Sequence, residues 1–197
     1  LMAAKERELD RLNGIYVSML DTAGVTRIEG RATLRSPHEV VVGERLIRAR
    51  YVLVATGGHP MMPPIPGIQL AMDSEKALSL TELPRSLAVV GGGYIGVEMA
   101  SIFAVCGVPT TLILRGDRVL RGFDHDLRAA LENELLAQGV KIMCETDVRA
   151  IERVDEHTVQ LDLAGEEALV VSHVLYATGR RPSSANLGLE AIGVEIA

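Results

Sequence analysis

Three glycines, Gly91, Gly93 and Gly96, stand in a G-x-G-x-x-G spacing directly after the apolar run Leu87 to Val90 and at the head of a long apolar segment. In a strand-turn-helix setting each has a separate task. The first permits a tight turn, the second lets the backbone approach a pyrophosphate, and the third lets helix and strand pack closely. N–H groups at the helix start lack intrahelical acceptors and face the anion. The chemistry this spacing points to is dinucleotide binding.

About 20 residues further on, the end of the second strand is where an NAD site places an acidic residue against the adenosine ribose. Here that position is Arg115, followed by Gly-Asp-Arg-Val-Leu-Arg121, so Arg115, Arg118 and Arg121 share one loop of an otherwise acidic chain. Guanidinium forks match the oxygens of a 2'-phosphate. Two such charge-assisted bonds at about 1.5 to 3 kcal/mol each correspond to a preference for NADPH over NADH of about 10^2 to 10^4.

Glu98 is the one charged side chain between Tyr94 and Pro109. Two readings are open: a carboxylate buried in the helix and paired with a cation from another segment, or one on an exposed helix edge. Tyr94, inside the fingerprint, is either a packing residue or part of the site. Asp124 and Asp126 flank a helix start and read as caps. The five histidines have no spacing for a metal or a catalytic triad, and no nucleophile motif is present, so no catalytic residue is assigned.

These residues need an α/β scaffold. Leu87–Val90, Val108–Leu114 and Val140–Cys144 read as buried strands, joined by an apolar helix to Cys106 and by an amphipathic helix at 126–138 capped by Gly139. That is a βαβαβ unit, hence a parallel sheet with right-handed crossovers. Residues 149–172 alternate as an antiparallel meander before Val174 to Thr178, a further buried strand. Upstream, residues 3–23 read as an amphipathic helix ended by Gly24. Short runs at 32–34, 40–42 and 46–48 form another meander, and Tyr51 to Thr56 is expected to be a buried strand. Both meanders thus lead to a strand closed by Ala-Thr-Gly, at 55–57 and 177–179, which reads as an architectural duplication. The proline-rich GGHPMMPPIPG (57–67) is read as a crossing between domains, since neither helix nor interior strand accepts it.

The chain has 197 residues, 48% of them hydrophobic and 23% charged, with a formal net charge of −6, which places it among folded globular chains rather than disordered ones. A nucleic-acid partner is excluded by the lack of a basic face or an aromatic platform. No run approaches about 18 apolar residues, so a membrane span is excluded as well, and a cytoplasmic location is the expectation. Cys106 and Cys144 lie outside any C-x-x-C or C-x-x-x-x-C spacing and read as buried structural thiols.

The stretches GRATL (30–34), YVLVATGGHPMMPPIPG (51–67), LAVVGGGYIGVEMASIFAVCG (87–107), RGDRVLRGFDHDLR (115–128) and VLYATGRRP (174–182) resemble, in order, the glutathione reductase family of pyridine nucleotide-disulfide oxidoreductases. The resemblance implies a three-layer ββα Rossmann-like FAD/NAD(P)-binding fold, with residues 68–178 as the NADPH domain. Residues 1–57 and 179–197 would be parts of an FAD domain. It further implies that Gly92, Ile95, Glu98, Arg115, Arg121 and Gly179 touch NADPH, with both arginines on the 2'-phosphate. Tyr94 would be the ring that covers the flavin, Glu98 the partner of a lysine beside it, and Ala32 a contact to the flavin nucleotide.

Gly96 departs from the family pattern, since many NADPH-using members carry Ala there. No redox C-x-x-x-x-C, first FAD-binding βαβ or dimer domain with a catalytic histidine is recognised. The chain is therefore expected to be the middle of a longer homodimeric enzyme that reduces glutathione disulfide, and to be inactive as a disulfide reductase by itself. Trypanothione reductase and dihydrolipoamide dehydrogenase are alternatives within the family. A self-standing dinucleotide-binding redox sensor is an alternative from another class.

Overall fold

A computed structural model describes residues 2–196. Two compact units are formed, one from the chain up to Gly58 and again from Pro182, the other from His59 to Arg181. In the first, α1 (Met2–Thr22) precedes an antiparallel meander of β1 (Ala32–Ser36), β2 (Glu39–Val42) and β3 (Arg45–Arg48). Gly24, at a φ of 71°, stops α1 as expected. Leu9, Tyr16 and Leu20 are all exposed, so the apolar stripe of α1 is uncovered among the described residues. The meander returns at the two-residue turn Gly43-Glu44, where Gly43 takes a φ of 59°.

Tyr51 to Thr56 is not a strand, which corrects the expectation for this segment. Tyr51 is 80% and Leu53 89% exposed. A continuous apolar run becomes a buried strand only where strands flank it and layers cover both faces, and the described residues supply neither. Arg50 instead lies over the Tyr51 ring at 5.2 Å, and Thr56 Oγ1 donates to Ser183 O at 2.8 Å. The duplication therefore holds for the two meanders and fails for the strands that follow them. A short β4 (Gly58–Pro60) comes next and belongs to a two-stranded ribbon.

The second unit carries α2 (Ser74–Leu78), β5 (Leu87–Val90), α3 (Tyr94–Val105), β6 (Thr110–Ile113), α4 (His125–Ala137), β7 (Lys141–Met143), β8 (Val148–Arg153), β9 (Val159–Leu163), β10 (Leu169–Val171) and β11 (His173–Tyr176). The ribbon partner of β4 is β12 (Arg180–Pro182). Strands β11, β5, β6 and β7 make a parallel sheet in that order, and β8 to β10 an antiparallel one. The period of two divides the parallel strands between two cores. Leu87, Val89, Leu112 and Leu175 join Val97, Ala100, Phe103 and Leu135 of α3 and α4 on one face. Ala88, Val90, Ile113 and Val174 join Ile151, Leu161 and Val171 of the meander on the other. This is the expected three-layer ββα arrangement.

The proline-rich crossing is packed rather than loose. Ile151 N–H donates to Pro66 O at 2.9 Å, and Gly67, at a φ of 79°, lies so close to Ile151 that a Cβ would run into its carbonyl. Asp124 caps α4 through the N–H groups of Asp126 and Leu127, and Gly139 ends it at a φ of 87°. Ser86 and Ser172 tie the starts of β5 and β11 together. Each hydroxyl accepts the other residue's N–H at 3.0 Å, and Ser172 Oγ donates to Ser86 O. Cys106 and Cys144 are half-buried rather than buried, and burial pushes the Cys144 thiol upward.

Leu112, fully buried on the central strand β6, should cost about 3 to 5 kcal/mol when replaced by Ala, read from urea melts. A loss below about 1 kcal/mol would mean that this core is not packed as described. Burial also pulls the His173 imidazole below its usual range, so the unfolded chain takes up its proton first. Stability is untouched above about pH 6.5 and falls as pH drops from there through the lower folded-state value. His173→Gln should flatten this part of the stability curve between about pH 7.5 and about pH 5, and parallel curves would contradict it.

Candidate dinucleotide site

The glycine turn connects β5 to α3, and its three glycines do three different things. Gly91 takes a φ of 124°, donates its N–H to Ile113 O at 2.8 Å, and has no room for a Cβ beside the Ala177 carbonyl. A Cβ on Gly96, which is buried in the first turn of α3, would collide with Gly91 O. Around Gly93 the corresponding space is open for 4 Å. Two positions are therefore closed by protein backbone, while the third faces free volume at the head of a helix.

Gly93 is also the N-cap of α3, and no side chain caps that end. The N–H groups of Tyr94 and Ile95, at the first turn, thus keep their capacity to bond an anion. A pyrophosphate fits this end on both counts, open space and unclaimed donors. Gly92 is half-buried against Leu114 and offers its carbonyl to the Leu120 N–H at 2.7 Å.

That bond attaches the arginine loop to the turn. Leu120 adopts a φ of 52°, and Val119 beside it is fully buried in the core under α3. Upstream, Glu145 N–H donates to Gly116 O at 2.9 Å. Between and beside these fixed points, Arg115 and Arg121 are exposed and make no hydrogen bond or ion pair among the described residues. They are free to receive an anion. Arg118 behaves differently: its Nε lies 3.9 Å from Glu132 Oε2, a loose ion pair too long for a hydrogen bond.

Arg128 is the residue that sequence reasoning missed. Only 14% exposed, its side chain donates from Nε to Val119 O at 2.7 Å and from Nη2 to Arg118 O at 3.2 Å and to Asp117 Oδ1 at 3.1 Å. The bond from Arg128 holds the Asp117 carboxyl below the usual carboxylate range. Asp117 therefore answers Arg128, not its neighbour Arg118.

Glu98 is exposed on α3, so the reading in which it is buried is corrected. Tyr94, Glu98, Ile102 and Val105 follow the helical repeat along one exposed edge, with Tyr94 58% and Val105 74% exposed. The apolar composition of α3 concealed this edge, because three of its four residues are themselves apolar. Gly179, exposed at a φ of 158°, accepts the Met61 N–H at 2.9 Å through its carbonyl. In the other unit Ala32 is exposed at the start of β1. Thr178 follows the Gly91 contact at Ala177, and its hydroxyl is buried with no hydrogen-bond partner among the described residues. No metal-binding group of three or more ligands and no helix long and apolar enough to cross a membrane occur among the described residues.

The sequence model of the family described as pyridine nucleotide-disulphide oxidoreductase matches residues 2–197. The chain belongs to this family. Family membership implies use of FAD and NAD(P)H. A glutathione reductase of Nostoc sp. is 40% identical over 193 residues, covering 97% of this chain and 42% of the relative. The chloroplastic/mitochondrial glutathione reductase of Pisum sativum is 39% identical over 197 residues, covering 100% of this chain and 36% of the relative. Among solved structures, the HOCl-induced flavoprotein disulfide reductase RclA from Escherichia coli aligns with a TM-score of 0.88. It is 32% identical, and the alignment covers 100% of this chain and 46% of that one. The chain thus spans less than half the length of the oxidoreductases it matches.

Two single-carbon additions separate the roles of the glycines. Gly96→Ala should destabilise by about 1 to 3 kcal/mol, since the colliding atom is backbone. Gly93→Ala, facing open space at an ordinary φ of −76°, should stay within about 0.5 kcal/mol in the same thermal melts. The reverse order would refute the assignment of the turn.

Proposed function

We propose that this chain is the NADPH-binding part of an FAD-dependent reductase of glutathione disulfide, working as a homodimer in the cytoplasm. The overall reaction is NADPH + H⁺ + GSSG → NADP⁺ + 2 GSH, with the cofactor supplying a hydride equivalent when bound. The observation that carries the reading is the loop that hydrogen-bonds to the glycine turn while leaving Arg115 and Arg121 unpaired.

Each part of the site has one task. The N–H groups at the head of α3 take the pyrophosphate, Gly93 leaves it room, and Gly92 and Ile95 line its approach. Arg115 and Arg121 take the 2'-phosphate, where an acidic residue would have repelled it. Gly179, Tyr94 and Glu98 lie toward the nicotinamide and flavin. The exposed Glu98 carboxylate has no partner in its own unit, which suits a lysine supplied by an FAD domain. In the first unit, the exposed Ala32 is the flavin nucleotide contact. The uncovered Tyr51, Leu53 and Val105 are apolar surface of the kind that a larger enzyme covers. The redox disulfide and the catalytic histidine belong to the remainder of such an enzyme.

Binding of both coenzymes, followed by isothermal calorimetry, tests the reading. NADPH should bind about 10^2 or more times tighter than NADH, and Arg115→Glu should remove most of that margin while leaving NADH nearly unchanged. Equal affinities in the unaltered protein, or equal losses in the variant, would overturn it.

A further inference from the structure

The loop that presents Arg115 and Arg121 has two successive carbonyls, Arg118 O and Val119 O, that accept hydrogen bonds from α4. Arg128 enters there from the first turn of α4, itself fixed by the Asp124 cap, and directs its donors to Val119 O, Arg118 O and Asp117 Oδ1. A side chain only 14% exposed, with both the Nε and an Nη on loop carbonyls, is poorly placed to reach a ligand phosphate as well. Its rigid fork suits two adjacent acceptors in a way that a single ammonium does not. The remaining supports of the loop are the loose Arg118–Glu132 ion pair and backbone or core contacts: Glu145 N–H on Gly116 O, Leu120 N–H on Gly92 O, and the buried Val119. Arg128 is thus the one side chain from outside the loop, among the described residues, that hydrogen-bonds the backbone between Arg115 and Arg121.

We infer that Arg128 is a positioning residue for coenzyme choice. It touches neither coenzyme, yet it fixes the backbone from which Arg115 and Arg121 project, so that both guanidinium groups are organised before NADPH arrives. Without it, Arg118 O and Val119 O lose their donor and the loop between the two arginines gains freedom that binding must remove. The loss falls chiefly on the 2'-phosphate, because no Arg128 bond reaches the glycine turn or the head of α3. This inference rests on the NADPH reading above.

The test is the affinity of the full-length protein for NADPH and NADH by calorimetry, in unaltered form and as Arg128→Met and Asp117→Asn, with a thermal melt of each. Arg128→Met should weaken NADPH about tenfold, equivalent to about 1.4 kcal/mol, with NADH unchanged within about twofold. Asp117→Asn removes the ion pair but leaves both carbonyl bonds, and should keep the preference within about twofold. Arg128→Lys should fall between Arg128→Met and the unaltered protein. A merely structural role would lower both affinities together, and that result overturns the inference, as does an Arg128→Met protein with an intact preference. If the unaltered protein shows no preference for NADPH, both the NADPH reading and this inference fail. A preference that survives Arg128→Met sinks the inference alone.

Discussion

The structure depends on how closely α3 is allowed to approach the sheet. Gly96 lies against Gly91 O and Gly91 lies against the carbonyl of Ala177, the residue after β11, so helix, turn and strand end meet through backbone with only the Ala177 methyl nearby. That approach brings an uncapped helix end to the carboxyl edge of a parallel sheet, the place where open α/β sheets take their ligands. It also leaves Gly92 O available to Leu120 N–H, which couples the arginine loop to the same turn. The helix end proposed for the pyrophosphate and the loop proposed for the 2'-phosphate are therefore one connected piece of backbone. Arg128 adds a second tether from α4.

Gly96 has a different meaning in this setting from the one its residue type suggests. An Ala at this position would require the helix to stand off by roughly the width of a methyl group. Here the gap is filled by the Gly91 carbonyl instead. In the proposed function Arg115 and Arg121 set coenzyme choice through direct charge contact, and the glycine is a packing feature.

Much of this was legible in the residues because it follows from periodic patterns with short-range causes. Continuous apolar runs gave away strands covered on both faces, the glycine spacing marked the turn, and Asp124 and Gly139 marked the ends of α4. The failures share a different cause. Tyr51 to Thr56 reads as a strand by composition, but strandhood requires neighbours that no local pattern reveals. Glu98 looked enclosed because Tyr94, Ile102 and Val105, on the same exposed edge, are as apolar as core residues. Arg128 carried no signal at all: its partners are carbonyls nine and ten residues earlier, and nothing in a sequence distinguishes a guanidinium that clamps backbone from one that floats in solvent.

Two guanidinium groups, fixed beside a glycine turn, are proposed to hold the extra phosphate of one coenzyme. Phosphorus-31 NMR of NADP⁺ bound to the protein, titrated with acid, reads this directly, because a free phosphomonoester takes up its second proton near about pH 6. Bound between Arg115 and Arg121, the 2'-phosphate should stay dianionic well below that value. A bound 2'-phosphate that titrates like the free coenzyme would contradict the account.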